Sequence, residues 1–290
     1  MKTMKQNDTQ SILFVVLCEN DRELKFAWKI PENTEICAAI CINENESRYD
    51  VCHAFASALR QYPALRMVVF VVPFLTMEPK LLTLLTMANC AKERGLITVV
   101  ATIIGDPGMG PMLPEFYGNE ALAIKQVFAC ADCILGAPVW QRRYELQACS
   151  DAEAYRQWFY WNVQKFQGFM NDLLEGNSFI YLDFDAISSV LCSRKFAFLG
   201  IECIQGADAS ERILDLERKE LLPKDFMEKT PGAILHIAGP EDMDLAEVEA
   251  IVDIVSKDMC PDAKLPFSAE FDSSLHDEVR ISIVATGGNN

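Results

Sequence analysis

Polar and apolar positions along the chain change period several times, and each change marks an element. Ile12–Cys18 is a β-branched apolar run closed by Glu19, Asn20 and Asp21, which predicts a strand. Ile36–Ile42 is a second candidate. Met67–Val72 is unbroken apolar sequence, the pattern of a strand buried on both faces, and Leu96–Ile104 repeats it. Between these runs the period becomes helical. Tyr49–Gln61 carries Val51, Phe55, Ala58 and Leu59 on one face; Pro79–Arg94 is a second helix, with Gly95 placed to stop it. A loop at Gly105–Pro111, a helix at Asn119–Phe128 and a short strand at Cys133–Gly136 complete a first α/β unit. Strands alternating with helices predict a mostly parallel, Rossmann-like sheet.

Asp151–Glu175 is the longest helical segment and is crowded with aromatics, among them Tyr155, Trp158, Phe159, Tyr160, Trp161, Phe166 and Phe169. Aromatics on most faces predict a helix buried between two domains. Beyond it lies a smaller α/β unit. Its predicted strands are Phe196–Gln205, Gly232–Ala238, Lys264–Phe271 and Glu278–Thr286, and its helices are Ala186–Arg194, Asp208–Lys219 and Leu245–Lys257. The organisation read from the chain is a first unit over 10–150, a central helix over 151–177 and a second unit over 178–288.

Composition narrows the function. The net charge is −16, with 42 acidic against 26 basic residues. No basic stripe offsets it, so nucleic acid is not an expected partner. The chain holds 11 cysteines. Cys18, Cys90, Cys192 and Cys203 sit in apolar runs, which predicts reduced, buried thiols and a cytoplasmic protein. Cys130-Ala-Asp-Cys133 is the one CxxC and reads as a helix end entering a strand. With three histidines in all, no metal site is expected. Lys2 and Lys5 before the Ser11–Cys18 run imitate a lipoprotein signal, but Leu17 is not small and the apolar core is short, so the run reads as the first strand. Direct membrane insertion is not expected.

Glycine usage is the sharpest departure. The first glycine is Gly95. At ordinary usage of about 7%, the preceding stretch should hold about six or seven. Phosphate-cradling loops need glycine, which reaches φ > 0 and lets backbone N–H groups close on the phosphates.

The second unit resembles a known family. Gly232-Ala-Ile-Leu-His-Ile-Ala-Gly239 and Asp277-Glu-Val-Arg-Ile-Ser-Ile-Val-Ala-Thr-Gly287 are similar to the C-terminal domain of FtsZ, the bacterial tubulin homologue; Ala207–Ile213 resembles the start of that domain's first helix. Upstream, Val69–Val72 and Ala91–Val100 resemble segments of the FtsZ nucleotide domain. The likeness runs over about residues 67–287.

The resemblance implies a Rossmann-like GTPase domain, a long central helix and a smaller α/β C-terminal domain. In the family, GTP sits on glycine loops of the first domain. A neighbouring subunit's loop supplies acidic residues, so the site is completed by polymerisation. Here the glycine-rich signature falls on Thr76-Met-Glu-Pro-Lys-Leu-Leu82, where Thr76 and Lys80 are the groups that could favour a phosphate. Glu78 would oppose phosphate charge, and Pro79 removes a backbone N–H. The family's first glycine loop falls on Glu19-Asn-Asp-Arg22. The catalytic loop falls on Tyr181-Leu-Asp-Phe-Asp-Ala-Ile187. Asp183 matches the first acidic position, Tyr181 replaces an asparagine, the second aspartate falls on Ala186, and Asp185 is one residue out of register. Asp183 and Asp185 read either as remnants of that catalytic pair or as caps of the following helix. Tyr155 and Asn162 are the candidates for a guanine contact. The sequence ends at Asn290, before the family's flexible linker and adaptor-binding peptide, so tethering by that route is not expected.

The expectation is an FtsZ-like pseudo-GTPase without bound GTP, acting through an FtsZ-type partner or through self-association. Two alternatives stay open: a GTP-binding or GTP-hydrolysing homologue with an altered site, and a small-molecule binding module.

Overall fold

The structure is a computed structural model that describes residues 11–18, 37–43, 47–73, 80–103, 125–137, 152–174, 178–194 and 196–287. The chain divides into two compact units, Met1–Gln167 and Gly168–Asn290.

The first unit contains β1 (Ile12–Cys18), β2 (Cys37–Asn43), β3 (Met67–Val71), β4 (Ile97–Ile103) and β5 (Cys133–Ala137). They lie in the order β2-β1-β3-β4-β5 and every described pair among them is parallel. Helices α1 (Arg48–Gln61) and α2 (Lys80–Glu93) intervene, and residues 125–130 are helical. The apolar runs form strands because both sheet faces are covered: Ile12, Phe14, Val69, Phe70 and Val99 are fully buried. The strand boundaries sit within a residue or two of those expected.

The stop at Gly95 has an identifiable mechanism. Gly95 has φ of 72°. Its N–H donates to the Lys92 carbonyl at 2.9 Å, and the Leu96 N–H donates to the Ala91 carbonyl at 3.2 Å. These two bonds are those of a Schellman cap, which needs a left-handed residue at this position.

The order 2-1-3-4-5 also fixes a topological switch point. Connections diverge between β1 and β3, and the crevice beyond the carboxyl ends of those strands is where open α/β sheets bind ligands. Val16 pairs with Val71. Along the chain those strands are followed by the sequence-predicted loops Glu19–Arg22 and Thr76–Leu82. Glu19–Arg22 and residues 74–79 lie outside the described residues.

Helix α3 (Ala152–Leu174) follows, with Trp158, Phe159, Tyr160, Phe166 and Phe169 buried. Trp161 is an exception to the expected all-round burial. It is 43% exposed, with the Lys165 ammonium 3.5 Å from its ring centroid.

The second unit contains β6 (Ser178–Ile180), α4 (Phe184–Leu191), β7 (Phe196–Gln205), α5 (Ala209–Leu216), α6 (Lys224–Met227), β8 (Gly232–Gly239), α7 (Leu245–Lys257), β9 (Phe267–Phe271) and β10 (Glu278–Gly287). Strand order is β7-β10-β8-β9-β6. β10 is antiparallel to β7 and β8, β8 is parallel to β9, and β9 is antiparallel to β6. Three side-chain caps start its helices: Asp183, Asp208 and Asp244 accept from the N–H groups of Ala186, Glu211 and Glu247. Beneath them Arg212 and Glu247 form a buried bidentate pair, Nε to Oε1 at 2.7 Å and Nη2 to Oε2 at 2.8 Å.

Several expectations are corrected. The helix expected at Ala186–Arg194 starts two residues earlier, because Asp183 is its N-cap. β6 and α6 are too short to stand out as periodic segments. Cys192, the C-cap of α4, is exposed, and Cys90 and Cys203 are half-buried because each points away from the face that fully buries its neighbour, Ala91 and Ile204. Cys130 and Cys133 are buried, at the end of the helical stretch 125–130 and the start of β5.

Candidate functional site

The acidic loop is built by the start of α4. Asp183 is extended (φ −79°, ψ 158°), and its Oδ1 accepts the Ala186 N–H at 2.6 Å. Phe184, Ile187, Val190 and Leu191 anchor the helix below it. Asp185 lies in the first turn and, like Asp183, is exposed. Both carboxylates therefore sit at a helix N-terminus, where the unpaired N–H groups favour negative charge. Tyr181 is 66% exposed beside them.

The remaining sequence candidates are dispersed. Asn162 is buried on α3, and its Nδ2 donates to the Trp158 carbonyl of its own helix at 2.9 Å. Tyr155 belongs to the same helix, and Lys80 opens α2; their side chains, and all of Thr76, lie outside the described residues. Of the predicted residues, Asp183 and Asp185 are the two that the structure brings together.

A second cluster was not anticipated. Strand register sets a row of polar side chains on one face of the second unit's strands. His236 pairs with Ser282 of β10 and with Ser268 of β9; Glu270 stands two residues beyond Ser268, and Ser178 of β6 pairs with Glu270. Residues directly opposite in register share a face, as do residues two apart on one strand. His236 is fully buried, and its Nδ1 lies 2.8 Å from Ser268 Oγ while its Nε2 lies 3.3 Å from Glu270 Oε1. Asp172 of α3 meets this row. The ligand atoms of Asp172, His236 and Glu270 all lie within 4.8 Å of one another.

Arg280 borders the cluster, with Nη2 at 3.7 Å from Asp172 Oδ2 and 3.4 Å from Asp272 Oδ2. Burial raises the Asp172 carboxyl above its ordinary range; His236 lowers it, Glu270 raises it, Arg280 lowers it and Asp272 raises it. Asp272 moves the other way: a hydrogen bond from the Ser274 hydroxyl to Oδ1, at 2.6 Å, holds it below its ordinary range. The signal for this cluster is present in the sequence as polar residues two apart in Phe267-Ser-Ala-Glu-Phe271 and Val279-Arg-Ile-Ser, and as one histidine inside the apolar run Gly232–Gly239. Nothing in those local patterns says that they share a face.

Comparison with known proteins places the chain. A family model described as "FtsZ family, C-terminal domain" matches residues 196–289. The cell division protein FtsZ of Methanothermobacter thermautotrophicus is 29% identical over 119 residues, 41% of this chain and 31% of that protein. The match spans about a third or less of the length of the curated relatives. Among solved structures, a mutant of M. jannaschii FtsZ aligns with a TM-score of 0.71 at 17% identity, covering 96% of this chain and 92% of that one. The empty FtsZ dimer from the same organism aligns with a TM-score of 0.69 at 18% identity, covering 96% and 89%. Residues 196–289 thus match the FtsZ C-terminal domain, and the chain shares the fold of FtsZ over nearly all of its length.

Proposed function

We propose that this chain is a pseudo-GTPase of the FtsZ kind: a structural or interaction protein that binds FtsZ-type filaments or its own copies without turning over GTP. The observation that carries the reading is the absence of glycine before Gly95. Both connections that leave the switch point between β1 and β3 fall in that stretch, and they are where a phosphate cradle belongs. Phosphoryl transfer is almost entirely positioning and electrostatic stabilisation, so a chain without the cradle lacks most of what catalysis requires. The capping bond of Asp183 gives that carboxylate a structural task in its own chain.

Self-association draws support from the family: the aligned M. jannaschii FtsZ is described as a dimer. Cell division as the biological setting rests on the relatives' names alone. The acidic C-terminal region, with 22 acidic and 10 basic residues from Phe179 onward, suits a basic partner surface.

The first test is the nucleotide content of freshly purified protein, with less than about a tenth of an equivalent of guanine nucleotide expected, since even millimolar affinity is lost on dilution. Stoichiometric GTP, or GTPase activity abolished by Asp183→Ala, would sink the reading in favour of a GTP-using homologue, whose supporting observation is that Asp183 holds the family's first acidic position and is exposed. The second test is sedimentation with polymerising FtsZ. Neither co-pelleting nor altered polymer mass would overturn the filament-partner form.

A further inference from the structure

We infer that Asp172, His236 and Glu270 form a binding site for a divalent first-row metal ion on the sheet face of the second unit, a site independent of any nucleotide chemistry. The donor set is one imidazole nitrogen and two carboxylates, a mixed N/O set that suits ions of the manganese and zinc kind. The geometry is close to a coordination shell. Ligands about 2.1 Å from one ion stand about 3.0–3.4 Å apart when adjacent. His236 Nε2 and Glu270 Oε1 are already 3.3 Å apart, and the whole set closes within 4.8 Å.

The second layer is present too. His236 Nδ1 faces Ser268 Oγ at 2.8 Å, so the serine can hold the Nδ1 proton once an ion takes the place of the Nε2 proton that now faces Glu270. This is how a metal-ligating histidine is usually fixed in tautomer and ring orientation.

Two further observations point to a ligand. The first is charge. Asp172, Glu270 and Asp272 carry three negative charges, and Arg280 is the one arginine or lysine paired with them among the described contacts. A dication on a neutral imidazole balances that sum, and it answers the burial cost of the Asp172 carboxylate. Arg280 holds Asp172 through Oδ2, and one guanidinium cannot neutralise three carboxylates. The second is Ser178. Its Oγ is buried and has no hydrogen-bond partner, on a residue 2% exposed whose register partner across the strand pair is Glu270. A buried hydroxyl without a partner costs about 1–3 kcal/mol. A water carried by the bound ion supplies that partner. An entry path exists, because the Asp172 side chain is 35% exposed and that of Glu270 13%.

The test uses the full chain, reduced and stripped with chelator, titrated with Mn2+ and followed by electron paramagnetic resonance, in which free Mn2+ gives a signal that binding removes. Mn2+ is the probe because the 11 cysteines prefer softer ions. One equivalent bound is expected, weakened at least about tenfold by Glu270→Gln, by Asp172→Asn and by His236→Gln, and unchanged by His276→Gln and Asp183→Asn. The bound ion is also expected to raise the melting temperature of the parent chain but not of Glu270→Gln. If His236→Gln fails to fold, the two carboxamide variants still decide. No Mn2+ bound at millimolar concentration overturns the site. So does binding that survives both Glu270→Gln and Asp172→Asn, which would mark an adventitious ion only.

Discussion

The strands of the two units put polar groups in different places. In the first unit, β1 and β3 are apolar on both faces, and Thr98 and Thr102 of β4 are the buried polar residues among the described side chains of its strands. Chemistry in such a sheet is delegated to the loops beyond the strand ends. In the second unit, His236, Ser268, Ser282 and Thr286 are buried within the strands themselves, and Arg212 and Glu247 are buried in the flanking helices. The difference teaches where each unit tolerates exchange. Loops outside a doubly apolar sheet contribute little to its core, so their sequence can vary while the strands stay intact. A polar group inside a sheet or beneath a helix cannot be exchanged without answering for its desolvation.

The sharpest break of this contrast is charge deletion in the second unit. Glu247→Ala removes the bidentate partner of the buried Arg212 guanidinium, leaving Asp242 at 3.9 Å and the Gly206 carbonyl at 3.3 Å, and is expected to cost about 3 kcal/mol in urea unfolding. The matching change in the first unit is one of volume. Phe70, fully buried and with its ring centroid 5.5 Å from that of Phe55, should cost about 3–5 kcal/mol on Phe70→Ala by cavity formation, with no dependence on pH. If Glu247→Ala is neutral, the second unit is not held by its charges and the contrast fails.

Gly95→Ala is the next smaller effect. A left-handed alanine at φ 72° is expected to cost about 1–2 kcal/mol, visible as a lower urea midpoint. Asp183→Ala removes one N-cap and should cost about 1 kcal/mol, while leaving the nucleotide content of the purified protein unchanged. The smallest effect is at Asp272. Its carboxyl is held below the ordinary value of 3.8, so its contribution to stability is full above that value and is lost as pH falls through the depressed one. Thermal melts of Asp272→Asn should therefore fall below those of the parent chain at neutral pH and converge with them in acid.

Much of the first unit was legible from the sequence. Runs such as Met67–Val72 and Leu96–Ile104 can only be strands buried on both faces, and the Gly95 stop follows from the one residue that reaches φ > 0 without penalty. The capping role of Asp183 was legible as well, since an aspartate just before an apolar turn has few better uses, although the helix starts two residues earlier than its own periodicity implied. The short elements β6 and α6 escaped because three or four residues carry too little period to register.

The amino-acid sequence alone determined the alternation of strands and helices, the FtsZ-like pattern of the second unit and the absence of glycine before Gly95, because each is written in local pattern or in composition. Tertiary structure alone decided that Asp172, His236, Glu270 and Ser178 belong to one cluster. Those residues come from a helix and three strands spread over 98 residues between Asp172 and Glu270. Only the order β10-β8-β9-β6 and its register bring them to one face, since a slip of one residue would turn any of these strand side chains to the opposite side.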